Sequence, residues 1–85
     1  MKKFTYVIKD ELGIHARPAG ELSKEAKKYE SKVKIKKGEK EVLATQLLML
    51  MGLGVKKGEE VEFSIEGADE ETAYEAIAGF MEANL

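Results

Sequence analysis

The segment Gly13-Ile14-His15-Ala16-Arg17-Pro18-Ala19-Gly20 gathers an imidazole, a guanidinium and the start of a helix into eight residues. Pro18 lies close to the beginning of a helical pattern, where its missing N–H costs nothing. A helix beginning here offers unpaired backbone N–H groups and the positive end of its dipole, and both favour an anion. The Arg17 fork matches phosphate oxygens. Two readings fit this constellation: His15 as a nucleophile that accepts a phosphoryl group, with N–H groups of Ala16 and Arg17 holding its oxygens, or a surface histidine and arginine beside a simple proline helix start. Gly13 permits a close approach of the chain that leaves the imidazole at the rim.

Composition removes most other chemistries. The chain has 85 residues, one His and no Cys, so neither a disulfide framework nor a zinc site of the usual ligand types is expected. The 44% apolar content must stabilise a single domain over residues 1–85 by burial alone. Fourteen Lys plus Arg against 16 Asp plus Glu leave a net charge of −2, which argues against a nucleic-acid module. Lys32, Lys34, Lys36 and Lys37 fit the solvated face of a strand better than a nucleic-acid patch. The longest apolar run, Leu47 to Met51, is far short of a membrane span, and no signal peptide opens the chain. The expectation is a monomeric cytoplasmic domain with no membrane insertion.

Short elements must position the histidine. Phe4, Tyr6 and Ile8 alternate with Thr5, Val7 and Lys9, the pattern of a half-buried strand. Ala19, Leu22, Ala26 and Tyr29 give a helical stripe, with Lys27 and Lys28 in the last turn. Val33 and Ile35 alternate with lysines, and Lys37-Gly38-Glu39-Lys40 reads as a hairpin turn into a strand near Glu41 to Ala44. Thr45 is a candidate cap for a brief helix from Gln46 to Met51, ended by Gly52 and Gly54. Val61, Phe63 and Ile65 share a face of the last strand. Asp69, followed by Glu70 and Glu71, reads as the N-cap of a final helix whose stripe is Ala73, Ile77, Phe80 and Met81. The order βαββαβα predicts an α+β fold, a four-stranded antiparallel sheet covered by helices on one face. Within the brief helix, Leu47 to Met51 is more apolar than one buried face needs. Leu50 is expected inside, with Leu47, Leu48 and Met51 partly exposed for partners.

The stretch Gly-Ile-His-Ala-Arg-Pro-Ala at 13–19 resembles the active centre of the HPr family, the histidine phosphocarriers of the bacterial phosphoenolpyruvate-dependent sugar phosphotransferase system. The resemblance continues through Lys24-Glu25-Ala26-Lys27, Leu53-Gly54-Val55, Lys57-Gly58 and Gly67-Ala68-Asp69-Glu70, so it covers essentially the whole chain. It implies an open-faced β-sandwich of four antiparallel strands with three helices on one face. It also implies that His15 takes phosphate on Nδ1 from enzyme I and passes it to the IIA domains of sugar permeases. Arg17 would stabilise the phosphorylated ring. Gly20, Leu47, Leu48 and Met51 fall where the family places its apolar docking surface, and Lys24 and Lys27 where it offers positive charge to acidic partners. Such a protein is a relay without turnover of its own, not an enzyme, and it carries no cofactor or metal.

The chain departs from the family pattern at several positions. Gln46 occupies the slot of a regulatory serine and cannot accept phosphate, while the neighbouring Thr45 could. Leu12 stands where a small polar residue is usual beside the active centre. Met49 and Gly52 also differ from the commonest residues there. The alternative to a sugar-system carrier is a regulatory binding protein on the same fold, docking to transcriptional or metabolic regulators, or a carrier of a nitrogen-related branch. The charge is uneven: Arg17, Lys24 and Lys27 lie near the first helix, and Glu70, Glu71, Glu75 and Glu82 on the last.

Overall fold

Alternation of side chains along four strands sets the architecture seen in a computed structural model, which describes residues 1–85. The elements are β1 (Lys2–Val7), α1 (Ala16–Lys27), β2 (Lys32–Lys37), β3 (Lys40–Leu43), α2 (Leu47–Gly52), β4 (Glu60–Glu66) and α3 (Glu70–Asn84). The strands form one antiparallel sheet in the order β1-β4-β2-β3. The last strand is therefore central, and the first lies at an edge beside it.

The register brings apolar positions into rows across the sheet. Phe4 faces Phe63, Phe63 faces Ile35, and Ile35 faces Val42. Phe4 and Phe63 stack with ring centroids 4.8 Å apart, and Tyr74 of α3 meets Phe4 edge-on at 5.4 Å. The helices close this face. Ala19, Leu22 and Ala26 of α1, Leu50 of α2, and Ala73, Ile77 and Met81 of α3 join Val33, Ile35, Val61, Phe63 and Ile65 in one buried cluster. The opposite face stays open: Lys3, Thr5, Lys32 and Lys36 are exposed along β1 and β2. There Lys32 lies across from Glu66, and Lys36 lies between Glu62 and Glu41, pairings of opposite charge.

The β2–β3 hairpin turns on Gly38 and Glu39, with Gly38 at φ +60°, as a two-residue turn with glycine first requires. Three local expectations need correction. β3 begins at Lys40 and ends at Leu43, because the two-residue turn pairs Lys37 directly with Lys40. Tyr29 lies beyond α1, whose C-cap is Lys28. The N-cap of α2 is Gln46, in extended conformation, and no side chain caps it; Thr45 instead uses its carbonyl to accept the buried Ser23 hydroxyl at 2.8 Å. That bond ties α1 to the start of α2.

Asp69 is the N-cap of α3, but its carboxylate does not cap the helix. It accepts N–H groups of Glu30 and Ser31 at 3.0 and 2.9 Å, and also the Ser31 hydroxyl. The carboxyl is held below its ordinary range, chiefly by the Ser31 hydroxyl and then by the Glu30 N–H. Glu70 accepts the Gly67 N–H at 3.2 Å, a bond within the turn that leads into α3.

Candidate functional site

The position of His15 follows from a close approach two residues earlier. Gly13 has φ +69°, and a Cβ built there would stand 2.2 Å from the Val55 carbonyl oxygen and 2.8 Å from Lys56 Cα. Only glycine lets the β1–α1 loop lie on the α2–β4 loop in this way. The contact is sealed by the Ile14 N–H, which donates to the Val55 carbonyl at 3.1 Å, and by burial of Ile14. The α2–β4 loop is itself anchored. Lys37 Nζ donates to the Gly54 carbonyl at 3.0 Å and pairs with Glu59 at 3.1 Å, while Glu59 accepts the Lys56 N–H at 2.7 Å. The backbone bond from Lys56 and the side-chain bond from Lys37 both hold the Glu59 carboxyl below its usual range.

With Gly13 and Ile14 fixed, His15 becomes the N-cap of α1 in extended conformation, φ −111° and ψ −176°. Its carbonyl accepts the Ala19 N–H at 2.9 Å, so α1 starts immediately after it. Pro18 is buried in the first turn, where it sacrifices no hydrogen bond. The N–H groups of Ala16 and Arg17 donate to nothing in the protein, and both residues are exposed. The His15 side chain is 36% exposed at the rim. An accessible imidazole and free N–H donors thus meet at one helix end.

One neighbour escaped the sequence reading. The Asp10 carboxylate lies 3.8 Å from His15 Nε2, brought back by a turn in which the Gly13 N–H donates to the Asp10 carbonyl at 3.0 Å. The Asp-x-x-Gly spacing before the histidine is the signal that could have found it.

Arg17, Gly20, Lys24, Lys27 and Leu47 line one open cleft of about 380 Å³, together with Glu21 and Ser23. Arg17, Lys24 and Lys27 make no ion pair, so their charges face solvent. Leu48 is not in that cleft. It is 81% exposed on the other flank of α2, where it borders a groove with Lys40, Glu41, Val42, Met49, Gly52 and Leu53. Met51 is 41% exposed and borders neither, and Leu50 is fully buried. Leu12 is 71% exposed, so its side chain adds apolar surface in the loop that carries His15.

Residues 2–83 match the family model described as PTS HPr component phosphorylation site. The chain belongs to the HPr family. It is 42% identical over 85 residues to the phosphocarrier protein HPr of Mycoplasma genitalium, covering 99% of this chain and 97% of that one. Its fold matches a solved HPr from Thermoanaerobacter tengcongensis at a TM-score of 0.93 and 40% identity, over 98% of this chain and 93% of that one. A dimer of HPr from the same organism matches at 0.78 and 40% identity, covering 98% and 95%. The open four-stranded sheet with three helices is thus the HPr fold. No helix is long and apolar enough to cross a membrane.

Proposed function

We propose that this HPr family member is a phosphocarrier in which His15 accepts a phosphoryl group from phosphorylated enzyme I and delivers it to IIA domains of sugar permeases. The observation that carries this reading is the free pair of N–H groups at Ala16 and Arg17, set beside an accessible ring at the start of a twelve-residue helix. A phosphoryl group on His15 brings two negative charges to that helix end, where unpaired donors and the dipole offset them without rearrangement. Arg17 adds a permanent charge on the same turn.

The unpaired Arg17, Lys24 and Lys27 suit partners with acidic surfaces, and Leu47 adds an apolar side chain to the lining of the same cleft, beside Gly20. Leu48 and Met51 extend the apolar docking surface beyond the cleft. Because the protein supplies only the imidazole and the phosphate cradle, both half-reactions rely on groups of the partners. It is a relay rather than an enzyme.

The test is charging. Incubation with enzyme I and phosphoenolpyruvate should give one acid-labile phosphoryl adduct on wild-type protein and none on His15→Ala, and the adduct should pass to a IIA domain. An equal adduct on His15→Ala, or none on the wild type, would refute the reading.

A further inference from the structure

The Asp10 carboxylate is the only one within 4 Å of a His15 ring nitrogen, and it meets Nε2, not Nδ1. Three hydrogen bonds preset it. Its N–H donates to the Leu85 carbonyl at 2.9 Å, its carbonyl accepts the Gly13 N–H at 3.0 Å, and its Oδ1 accepts the Leu12 N–H at 2.8 Å. Other charged side chains around this loop are either paired elsewhere or positive. Glu11 meets Lys57 at 3.4 Å, Lys56 lies on the loop packed against Gly13, and Arg17 follows on α1. At 3.8 Å the Asp10–His15 contact is an ion-pair distance rather than a hydrogen bond, with both side chains about one-third exposed, 32% and 36%.

We propose that Asp10 is a positioning residue that keeps a proton on Nε2 throughout the phosphoryl cycle and so assigns Nδ1 as the reacting nitrogen. The inference rests on the phosphocarrier reading and adds to it the group that controls how readily the phosphoryl leaves. In charging, the Nδ1 lone pair forms the bond to phosphorus, and the donor's bond to phosphorus breaks with its electron pair staying on the donor. The ring keeps its Nε2 hydrogen and carries a positive charge, which the carboxylate faces. In discharge, the acceptor's nucleophile bonds to phosphorus and the N–P electron pair returns to Nδ1. The ring then leaves as neutral imidazole because Nε2 has kept its proton. Loss of that proton would make the leaving group an imidazolate and slow the transfer. Leu12 contributes only its backbone to this arrangement, so an apolar side chain there is compatible with it.

Asp10→Asn is the sharp test, because the amide oxygen still accepts the Leu12 N–H while the charge is gone. At alkaline pH, transfer from phosphorylated His15 to a IIA domain should slow about threefold in this variant, a modest change because the pair is partly solvated. Charging of the wild type, with no adduct on His15→Ala, establishes the underlying reading. If the wild type charges but Asp10→Asn shows the same pH profile and transfer rate, the role of Asp10 is refuted while the carrier function stands. Long-range nitrogen–proton NMR of the unphosphorylated wild type gives a second measurement, independent of how well the variant folds. At alkaline pH the hydrogen should reside on Nε2, and a hydrogen found on Nδ1 would overturn the proposal.

Discussion

Replacing Gly13 by alanine should separate the close approach of two loops from the ordinary cost of a left-handed backbone. At φ +69° any L-residue loses about 1–2 kcal/mol. The new Cβ would also meet the Val55 carbonyl oxygen at 2.2 Å and Lys56 Cα at 2.8 Å, both backbone atoms that no rotamer change can move. Relieving that collision means parting the loops and stretching the Ile14 N–H to Val55 bond, a further cost of about 1–3 kcal/mol. Gly54 is the matched control. It has φ +64° and no atom within 4 Å of an added Cβ, so Gly54→Ala carries the backbone cost alone. Urea unfolding followed by circular dichroism reads the difference. With a slope of about 1 kcal/mol per molar for a domain this small, the Gly13→Ala midpoint should drop by about 2 M or more, and that of Gly54→Ala by about 1–2 M. Gly13→Ala should also charge poorly at His15, whereas Gly54→Ala should not. Equal midpoints for the two variants would refute the claim that steric contact, and not φ alone, seats the loop that carries His15.

Two further outcomes test the docking surface and the acid response. Leu50→Ala should lose about 2–5 kcal/mol in the same urea assay, while Leu48→Lys, at an 81% exposed position, should stay within about 0.5 kcal/mol and weaken enzyme I binding. A Leu48→Lys variant that unfolds would move this residue into the core. For Asp69, the folded carboxyl lies below its unfolded value, so its stabilisation is present above the ordinary carboxylate range and is lost as pH falls through the depressed folded value. Melting temperature measured from neutral to acid pH should therefore fall less steeply for Asp69→Asn than for wild type, and parallel curves would show that the Asp69–Ser31 contact adds nothing.

Period-two and helical apolar patterns were enough to read the element order, because each stripe ends up against one shared core. Strand neighbours were a different matter. That β1 pairs with β4, and not with β2, depends on partners some sixty residues apart, such as Phe4 and Phe63, and no local pattern encodes it. Polar residues were the other weak point. Thr45 and Asp69 both have the chemistry of caps, yet one lends its carbonyl to Ser23 and the other its carboxylate to Glu30 and Ser31. The Asp69 carboxylate, which could bond locally at a helix start, is taken by tertiary partners, while Thr45 falls one residue before the N-cap, and sequence carries no sign of either outcome. Within the site, His15, Ala16 and Arg17 were legible because a helix start has a local signature. Asp10 had only the Asp-x-x-Gly turn spacing to mark it, and its approach to the ring shows only once that turn is folded.

A division of labour in the loop connects these points. Gly13, Ile14, Pro18 and Ala19 are buried, and they determine where α1 begins. His15, Ala16 and Arg17 lie together between these two buried pairs and remain open to solvent or half-open. Placing buried anchors on both sides of this three-residue block means that the His15 backbone cannot drift without unseating part of the core. It also leaves the ring uncovered on the side from which a partner must approach. A relay needs both properties, since the same nitrogen has to present itself to two different proteins and must not depend on either for its orientation. The lone pairing of Asp10 with Nε2 fits that requirement: it acts from within the chain, on the nitrogen away from the transferred group. In the proposed cycle the carboxylate can therefore stay in place while donor and acceptor exchange on the other side of the ring.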